Sequence, residues 1–297
     1  MMRRPDIDRR ALLATGAAAA LLAATGVTAQ SMPERRGRLR MALSGATRND
    51  SFNAQNGRGL FMQVAMVGCV FDTLTKIAAD GTLRAELATG WIGDSEARTW
   101  TFKLREDVRF HNDMPFTADD VIASFALHHD SILSDLEHCA TLDRHRLRVT
   151  LHASDPDFPY RLTDPRLVIY PAGALHEAMA QGIGTGLYRT ERYQPGRSFL
   201  GTRVAQHYKD GQAGWFESVE LVGLSSDSVR AEALLEDYVD AADLTHTADL
   251  GDLTGLTLLP EEHFMTSAVD RGIALPAQIG SRWPLDNLRA PERWWMA

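Results

Sequence analysis

The chain has 297 residues, 44% of them hydrophobic and 24% charged, with a formal net charge of −8. This balance suits a globular protein with a real core, in one large domain or two smaller ones, and excludes a largely disordered chain or a multi-span membrane protein. The acidic balance comes without a basic stripe, which argues against nucleic acid and anionic membrane surfaces as partners.

Residues 1–29 read as an export signal rather than as part of the fold. Arg9-Arg10 precede an apolar run, Ala11 to Ala24, that is short and Ala-rich for a transmembrane span. Val27-Thr28-Ala29 then places small residues at the cleavage position. Asp8-Arg9-Arg10-Ala11-Leu12-Leu13 looks like a twin-arginine signal, and an ordinary secretory signal would lead to the same periplasmic destination. Cleavage there predicts a mature chain starting at Gln30, with no integral membrane segment left. The loss of four Arg and two Asp takes the formal charge from −8 to −10. Arg35, Arg36, Arg38 and Arg40 read as a solvated tether.

Leu39 to Ser44 is expected to be the first core strand, followed by polar, glycine-bearing sequence through Gly59. Leu60 to Leu74 is apolar at helical spacing and predicts a buried helix. A strand and a turn at Asp80-Gly81 come next, then Trp91 and a hairpin. The second strand of that hairpin, Thr99 to Leu104, alternates Thr99, Thr101 and Lys103 against Trp100, Phe102 and Leu104, as a strand with one buried face does. Val108 and Phe110 resume the apolar face before a turn at Asn112 to Pro115. Thr117 then opens a helix with Asp120 three residues on, a capping box, and Val121, Ile122 and Phe125 as its apolar stripe. Further strands are expected at Arg146–His152, Leu167–Tyr170 and Phe216–Leu221, with a hairpin leading into Gln206-His207-Tyr208. A helix is expected over Ser226–Tyr238.

The order of side chains from Val70 to Ala126 resembles the signature of the family 5 extracytoplasmic solute-binding proteins, the peptide- and nickel-type receptors of ABC importers. The matching pieces are FDTL, then DGTLRAELATGW, then TWTFKLREDVRFHNDMPFTADDV, in which Asn112-Asp113-Met114-Pro115 stands where an Asp-Gly turn is usual. Gly184-Thr185-Gly186-Leu187-Tyr188 resembles the family's Gly-Thr-Gly-Pro-Tyr. Tyr238-Val239-Asp240 resembles its Gly-x-Val-Asp stretch, with Tyr238 near the usual glycine. The resemblance implies an α/β fold, a periplasmic binding protein-like lobe with a mixed β-sheet flanked by helices, in a single-lobe version. It divides the chain into the signal 1–29, lobe I over 37–245, a shortened connection over 246–270 in place of lobe II, and a return segment, 271–297, packing on lobe I. Because the chain after the first strand lies near the ligand cleft in that family, Ser44, Gly45, Asn53 and Asn56 are the candidate ligand contacts. An ordinary surface loop of turn-forming residues is the competing reading of each.

Other chemistry is sparse. His128-His129-Asp130 and Glu137-His138-Cys139 form the densest metal-ligand cluster, but adjacent helical residues point about 100° apart and lack ligand spacing, so no metal site is expected. His128 and His129 read instead as a solvated helix end. Cys69 and Cys139 form a bridge or remain separate thiols, with Cys69 set in an apolar run. No nucleophile elbow, P-loop or zinc-protease helix is present, so neither an enzyme nor a cofactor is expected. Trp283, Trp294 and Trp295 either pack on lobe I or expose an aromatic patch. The expected role is a periplasmic substrate-binding protein of an ABC importer, binding a peptide or similar small solute and delivering it to an inner-membrane permease. A degenerate single-lobe interaction or sensory module without a transport role is the alternative.

Overall fold

A computed structural model describes residues 37–244, apart from 57–58 and 79–81, together with the backbones of two later strands, 256–259 and 272–276. Residues 1–29, expected from the sequence to be an export signal, Arg35 and Arg36 of the expected tether, most of 246–270 and the tail tryptophans lie outside the described residues, as does the Asp80-Gly81 turn.

The first strand, β1 (Arg38–Leu43), buries Leu39, Met41, Ala42 and Leu43. Its two arginines belong to the sheet rather than to a tether. Arg38 pairs with Glu220 at 2.9 Å and Arg40 with Asp240 at 2.7 Å, each reaching across to a neighbouring strand or its lead-in. The helix that follows is shorter than its apolar pattern predicts. Leu60–Gln63 is α-helical, Val64–Val70 widens into a π-helix, and Phe71 is already extended. The reason lies downstream: Gly186 donates its N–H to the Val70 carbonyl at 2.8 Å, and Ile169 to that of Asp72 at 3.1 Å, taking acceptors that a longer helix would use.

Two short strands, β2 (Thr75–Ile77) and β3 (Leu83–Ala85), form a hairpin. An antiparallel sheet follows from β4 (Ala88–Gly93), β5 (Thr99–Leu104), β6 (Leu136–Asp143) and β7 (Arg146–Leu151), in the order β4-β5-β7-β6. The alternation in β5 holds: Trp100, Phe102 and Leu104 are buried and Lys103 is exposed. Trp100 lies against Gly93, where any added Cβ would meet its ring at 3.0 Å. The helix Ala118–Ala126 covers this sheet with Val121 and Phe125. Its capping box forms as the sequence predicts, with Asp120 accepting from the Thr117 amide at 2.7 Å and its hydroxyl at 3.0 Å. The second oxygen of Asp120 accepts the Ala172 amide at 2.7 Å, so the cap also fastens a distant segment.

The hairpin of β8 (Tyr188–Gln194) and β9 (Ser198–Arg203) leads to β10 (Ser218–Gly223) and then, after the helix Asp227–Leu235, to β11 (Ala241–Leu244). With β12 (Leu256–Leu259) and β13 (Gly272–Pro276) these build a seven-stranded mixed sheet, β12-β13-β11-β1-β10-β9-β8. Strand β1 is parallel to both β10 and β11, and every other pairing in this sheet is antiparallel. One face, which carries Phe199, packs on the Leu60–Val70 helix and on Phe52, Phe71 and Tyr170. The other face, carrying Ala42, Ala242 and Leu244, packs on Ala231 and Leu234.

Three further expectations change. Leu167–Tyr170 is buried but is not a strand, because the Tyr170 amide donates to the Ser124 hydroxyl at 2.9 Å and its own hydroxyl to the Phe52 carbonyl at 2.6 Å. His128 is buried in the turn after Ala126 rather than solvated, and only His129 of the pair is exposed. Cys69 sits in the first core and Cys139 beside the second, and they are not bridged. Burial pushes the Cys139 thiol up to about 12, which leaves it protonated at neutral pH.

Candidate ligand-facing site

The C-terminal ends of the parallel strands β1, β10 and β11 lie side by side, and the buried polar groups there form one cluster. Asp243, in β11, accepts from the Ser44 amide at 2.7 Å and from the Ser44 hydroxyl at 2.6 Å. Arg230 donates to the Asp243 carbonyl at 2.6 Å and to the Leu224 carbonyl at 2.6 Å, and also pairs with Asp227. Arg230 and Asp243 are each 1% exposed, so this is a buried cation held by carbonyls and carboxylates from the tips of neighbouring strands. Such a tip, where the chain leaves one parallel strand and returns on its other side, is where open α/β sheets place ligands.

Of the four sequence candidates, Ser44 and Gly45 stand at this tip. The hydroxyl of Ser44 is committed to Asp243, so the residue holds the tip together. Gly45 has a left-handed backbone, φ +76°, and a Cβ there would lie 2.8 Å from the Cα of Gly59; only glycine lets the two segments meet. Asn53 and Asn56 sit apart, in the following loop. The Asn53 carboxamide oxygen accepts the Gln55 amide at 2.9 Å, and the Asn56 carboxamide donates to Ser51 at 2.9 Å. Those bonds shape the loop.

A second cluster, absent from the sequence reading, joins pieces of the signature. Lys209 meets Asp72 at 2.6 Å and also pairs with Glu86. Asp72 accepts from the Thr185 hydroxyl at 3.0 Å, and Glu86 also meets Lys76 at 3.1 Å and the Tyr208 hydroxyl at 3.2 Å. All three central groups are buried. Asp72, Glu86 and Thr185 fall in the FDTL, RAELA and Gly-Thr-Gly segments. Their meeting joins three separate segments of the chain, although Lys209 lies 137 positions from Asp72 and no spacing rule announces it.

Beside this knot a cleft of about 680 Å³ opens between the Asp107–His111 segment, Thr185-Gly186 and Val204–Tyr208. Its two imidazoles are structural. His111 Nε2 bonds the Gly186 carbonyl at 2.8 Å, while its Nδ1 faces the Gly184 amide at 3.4 Å. His207 Nε2 bonds the Thr185 carbonyl at 2.8 Å, and its Nδ1 accepts the Lys209 amide at 3.1 Å. Each ring therefore has one nitrogen on a carbonyl and the other on an amide, which suits the neutral form and leaves neither nitrogen for a metal. Burial agrees: it pulls His111 down to about 4 and lowers His207, the latter opposed by Asp72. Among the described residues no three His, Cys, Asp or Glu side chains converge as a metal site, and no helix is long and apolar enough to cross a membrane.

Residues 82–258 match the family model for bacterial extracellular solute-binding proteins, family 5. The chain belongs to this family. It is 30% identical over 131 residues to the nickel-binding periplasmic protein of Escherichia coli K12, covering 39% of this chain and 25% of that one. It is 28% identical over 160 residues to di/tripeptide-binding protein 1 of Pseudomonas aeruginosa UCBPP-PA14, covering 42% of this chain and 30% of that one. Among solved structures it resembles the periplasmic binding protein AgaA of A. tumefaciens R10 in complex with agropinic acid. The TM-score is 0.68 at 25% identity, over 75% of this chain and 48% of that one. The peptide-bound periplasmic binding protein DppA of Helicobacter pylori shares the fold with a TM-score of 0.69 at 19% identity, over 78% of this chain and 52% of that one. The chain thus spans about half the length of these solved structures, and less of the curated relatives. The mixed sheet flanked by helices is the periplasmic binding protein fold.

Proposed function

We infer that this chain is the solute-receiving lobe of an extracytoplasmic binding protein, exported through residues 1–29 and serving an ABC importer in the inner membrane. Its ligand is a peptide or a similar small solute. The observation that carries this reading is the shared C-terminal edge of β1, β10 and β11, where a buried Ser44–Asp243–Arg230 cluster stiffens the tip. On this reading Gly45, Asn53 and Asn56 face the solute, with backbone and carboxamide groups suited to peptide amides and carboxylates. Ser44 is a positioning residue. The peptide reading is favoured over nickel because the imidazoles of the cleft have their ring nitrogens committed within the lobe.

The domain reading stands as the proposal that 37–245 is lobe I, 246–270 a shortened connection in place of lobe II and 271–297 a return segment packing on lobe I. A lobe that encloses only one side of its ligand binds weakly, since good pockets bury most of the ligand surface. Native mass spectrometry of the full chain, purified without a tag from the periplasm, tests the reading. A co-purified peptide, exchanged by added di- and tripeptides and weakened in Asn53→Ala/Asn56→Ala, is the expected result. A solute-free chain indifferent to peptides would overturn this reading and favour the interaction or sensory module. A cytoplasmic protein retaining Met1 would overturn the export step.

A further inference from the structure

The end of the helix Asp227–Leu235 presents an unusual surface. Leu235 is 51% exposed and Tyr238 is 70% exposed, two large apolar side chains within one turn of chain. Glu232, Glu236 and Asp237 surround them, all exposed, and no basic residue sits in the last helical turn. Carboxylates at a helix C-terminus add to the negative end of its dipole, so this end favours added cations. The surface is apolar at its centre and acidic at its rim, and the cation near Asp237, Arg40, is bonded to Asp240.

The sheet register shows which segment emerges beside it. In β13, Ala274 lies opposite Ala242 and Ile273 opposite Asp243, antiparallel. Leu275 and Pro276 therefore run toward Ala241 and Asp240, the residues that directly follow Tyr238 and Val239. The chain leaves the sheet at Pro276 on the side of the exposed pair, with 21 residues still to come. Those residues carry Trp283, Trp294 and Trp295 among the apolar positions, and Arg282, Arg289 and Arg293 among the charged ones. From Pro276 to Trp294 the chain reaches up to about 60 Å if extended, so a return to a site beside its exit involves no strain.

We propose that residues 277–297 dock on the end of this helix, with tail tryptophans covering Leu235 and Tyr238 and tail arginines meeting Glu232, Glu236 and the helix C-terminus. The occupant is this chain's own tail. It fits because aromatic side chains cover apolar surface while arginine pairs with carboxylates and stacks on rings. The docking rests on the reading of 271–297 as a return segment packing on lobe I, and it is independent of which solute the lobe receives.

Photo-cross-linking of the full chain tests it. With Tyr238→p-benzoylphenylalanine, irradiation should join position 238 to peptides from 277–297 of the same molecule. In Trp294→Ser/Trp295→Ser that product should fall to background. In Arg289→Glu/Arg293→Glu, a variant that removes no apolar surface, it should fall in part and recover when Glu232 and Glu236 are changed to Lys. A covalent dimer, a cross-link to another protein, or a cross-link confined to residues 37–244 would overturn the proposal. Unchanged cross-linking in both tail variants would overturn it as well.

Discussion

In the four-stranded sheet every strand lies within residues 88–151, and each pairs across a turn or a nearby return of the chain. In the seven-stranded sheet β1 pairs instead with strands 180 to 200 positions away. The polar groups differ in the same way. The local region carries the Arg161 fork, which meets Asp135 at 2.6 Å and Asp155 at 2.7 Å with its side chain still 31% exposed. The long-range region carries Asp72–Lys209–Glu86 and Ser44–Asp243–Arg230, buried throughout. Charge pairs near water contribute little net stability, whereas breaking a buried set leaves an uncompensated charge. The distant closures of this fold are therefore the places where a single substitution does most damage.

The sharpest way to break the comparison is to remove one cation from each region. Lys209→Ala leaves Asp72 and Glu86 facing each other with Lys76 as the remaining neighbour, and should cost about 3–5 kcal/mol in urea unfolding. Arg161→Ala should cost about 1 kcal/mol, because water reaches both of its partners. Equal losses from the two would erase the distinction between buried and exposed pairs.

Acid should act first on the long-range region. The pKa of His111 is pulled down to about 4 by burial, from an ordinary value near 6.5, while Asp72 opposes the shift and Arg189 and His207 reinforce it. Because the folded value lies below the unfolded one, the unfolded chain holds more protons between the two. The contribution is complete above pH 6.5 and is lost as pH falls toward 4, by about 3 kcal/mol. His111→Gln should flatten this part of the stability profile, and a parallel profile in the variant would assign the acid sensitivity to other groups.

A smaller effect sharpens the picture at the last helix. Asp237 sits at φ +58°, between the Tyr238 amide bonded to Ala233 at 2.9 Å and its own amide bonded to Leu234 at 3.3 Å. This is a Schellman ending with a non-glycine residue in the left-handed position. Asp237→Gly should raise stability by about 1 kcal/mol, read as a higher melting temperature, and it also removes one carboxylate from the acidic helix end. A neutral or negative change would mean that the Asp237 side chain contributes more than its backbone strain costs.

How far the fold was legible follows the same division. The alternation of β5 and β7, the Thr117–Asp120 capping box and the hairpin of β8 and β9 were readable because each depends on residues a few positions apart. Leu60–Leu74 misled because periodicity reports which face is apolar. It does not report that the carbonyls of Val70 and Asp72 are taken by distant amides. Leu167–Tyr170 misled for the converse reason: it is as apolar as a strand, but Ser124 and Phe52 supply its partners. His128 was read as solvated from its polar neighbours, and only the packed turn shows it buried. The bond of Ser44 to Asp243, 199 positions on, has no local signal in the sequence.

The sequence by itself therefore determined the family, the class of fold and the outline of the antiparallel sheet. Those features rest on short-range order: alternation, capping and the succession of motifs along the chain. Only the tertiary structure decided which buried charges meet, that the imidazoles of the cleft are committed to backbone groups, and that β13 returns the chain beside an exposed apolar and acidic helix end. Such pairings join residues as much as 199 positions apart. Their geometry is set by the packing of whole elements, and no local pattern encodes it.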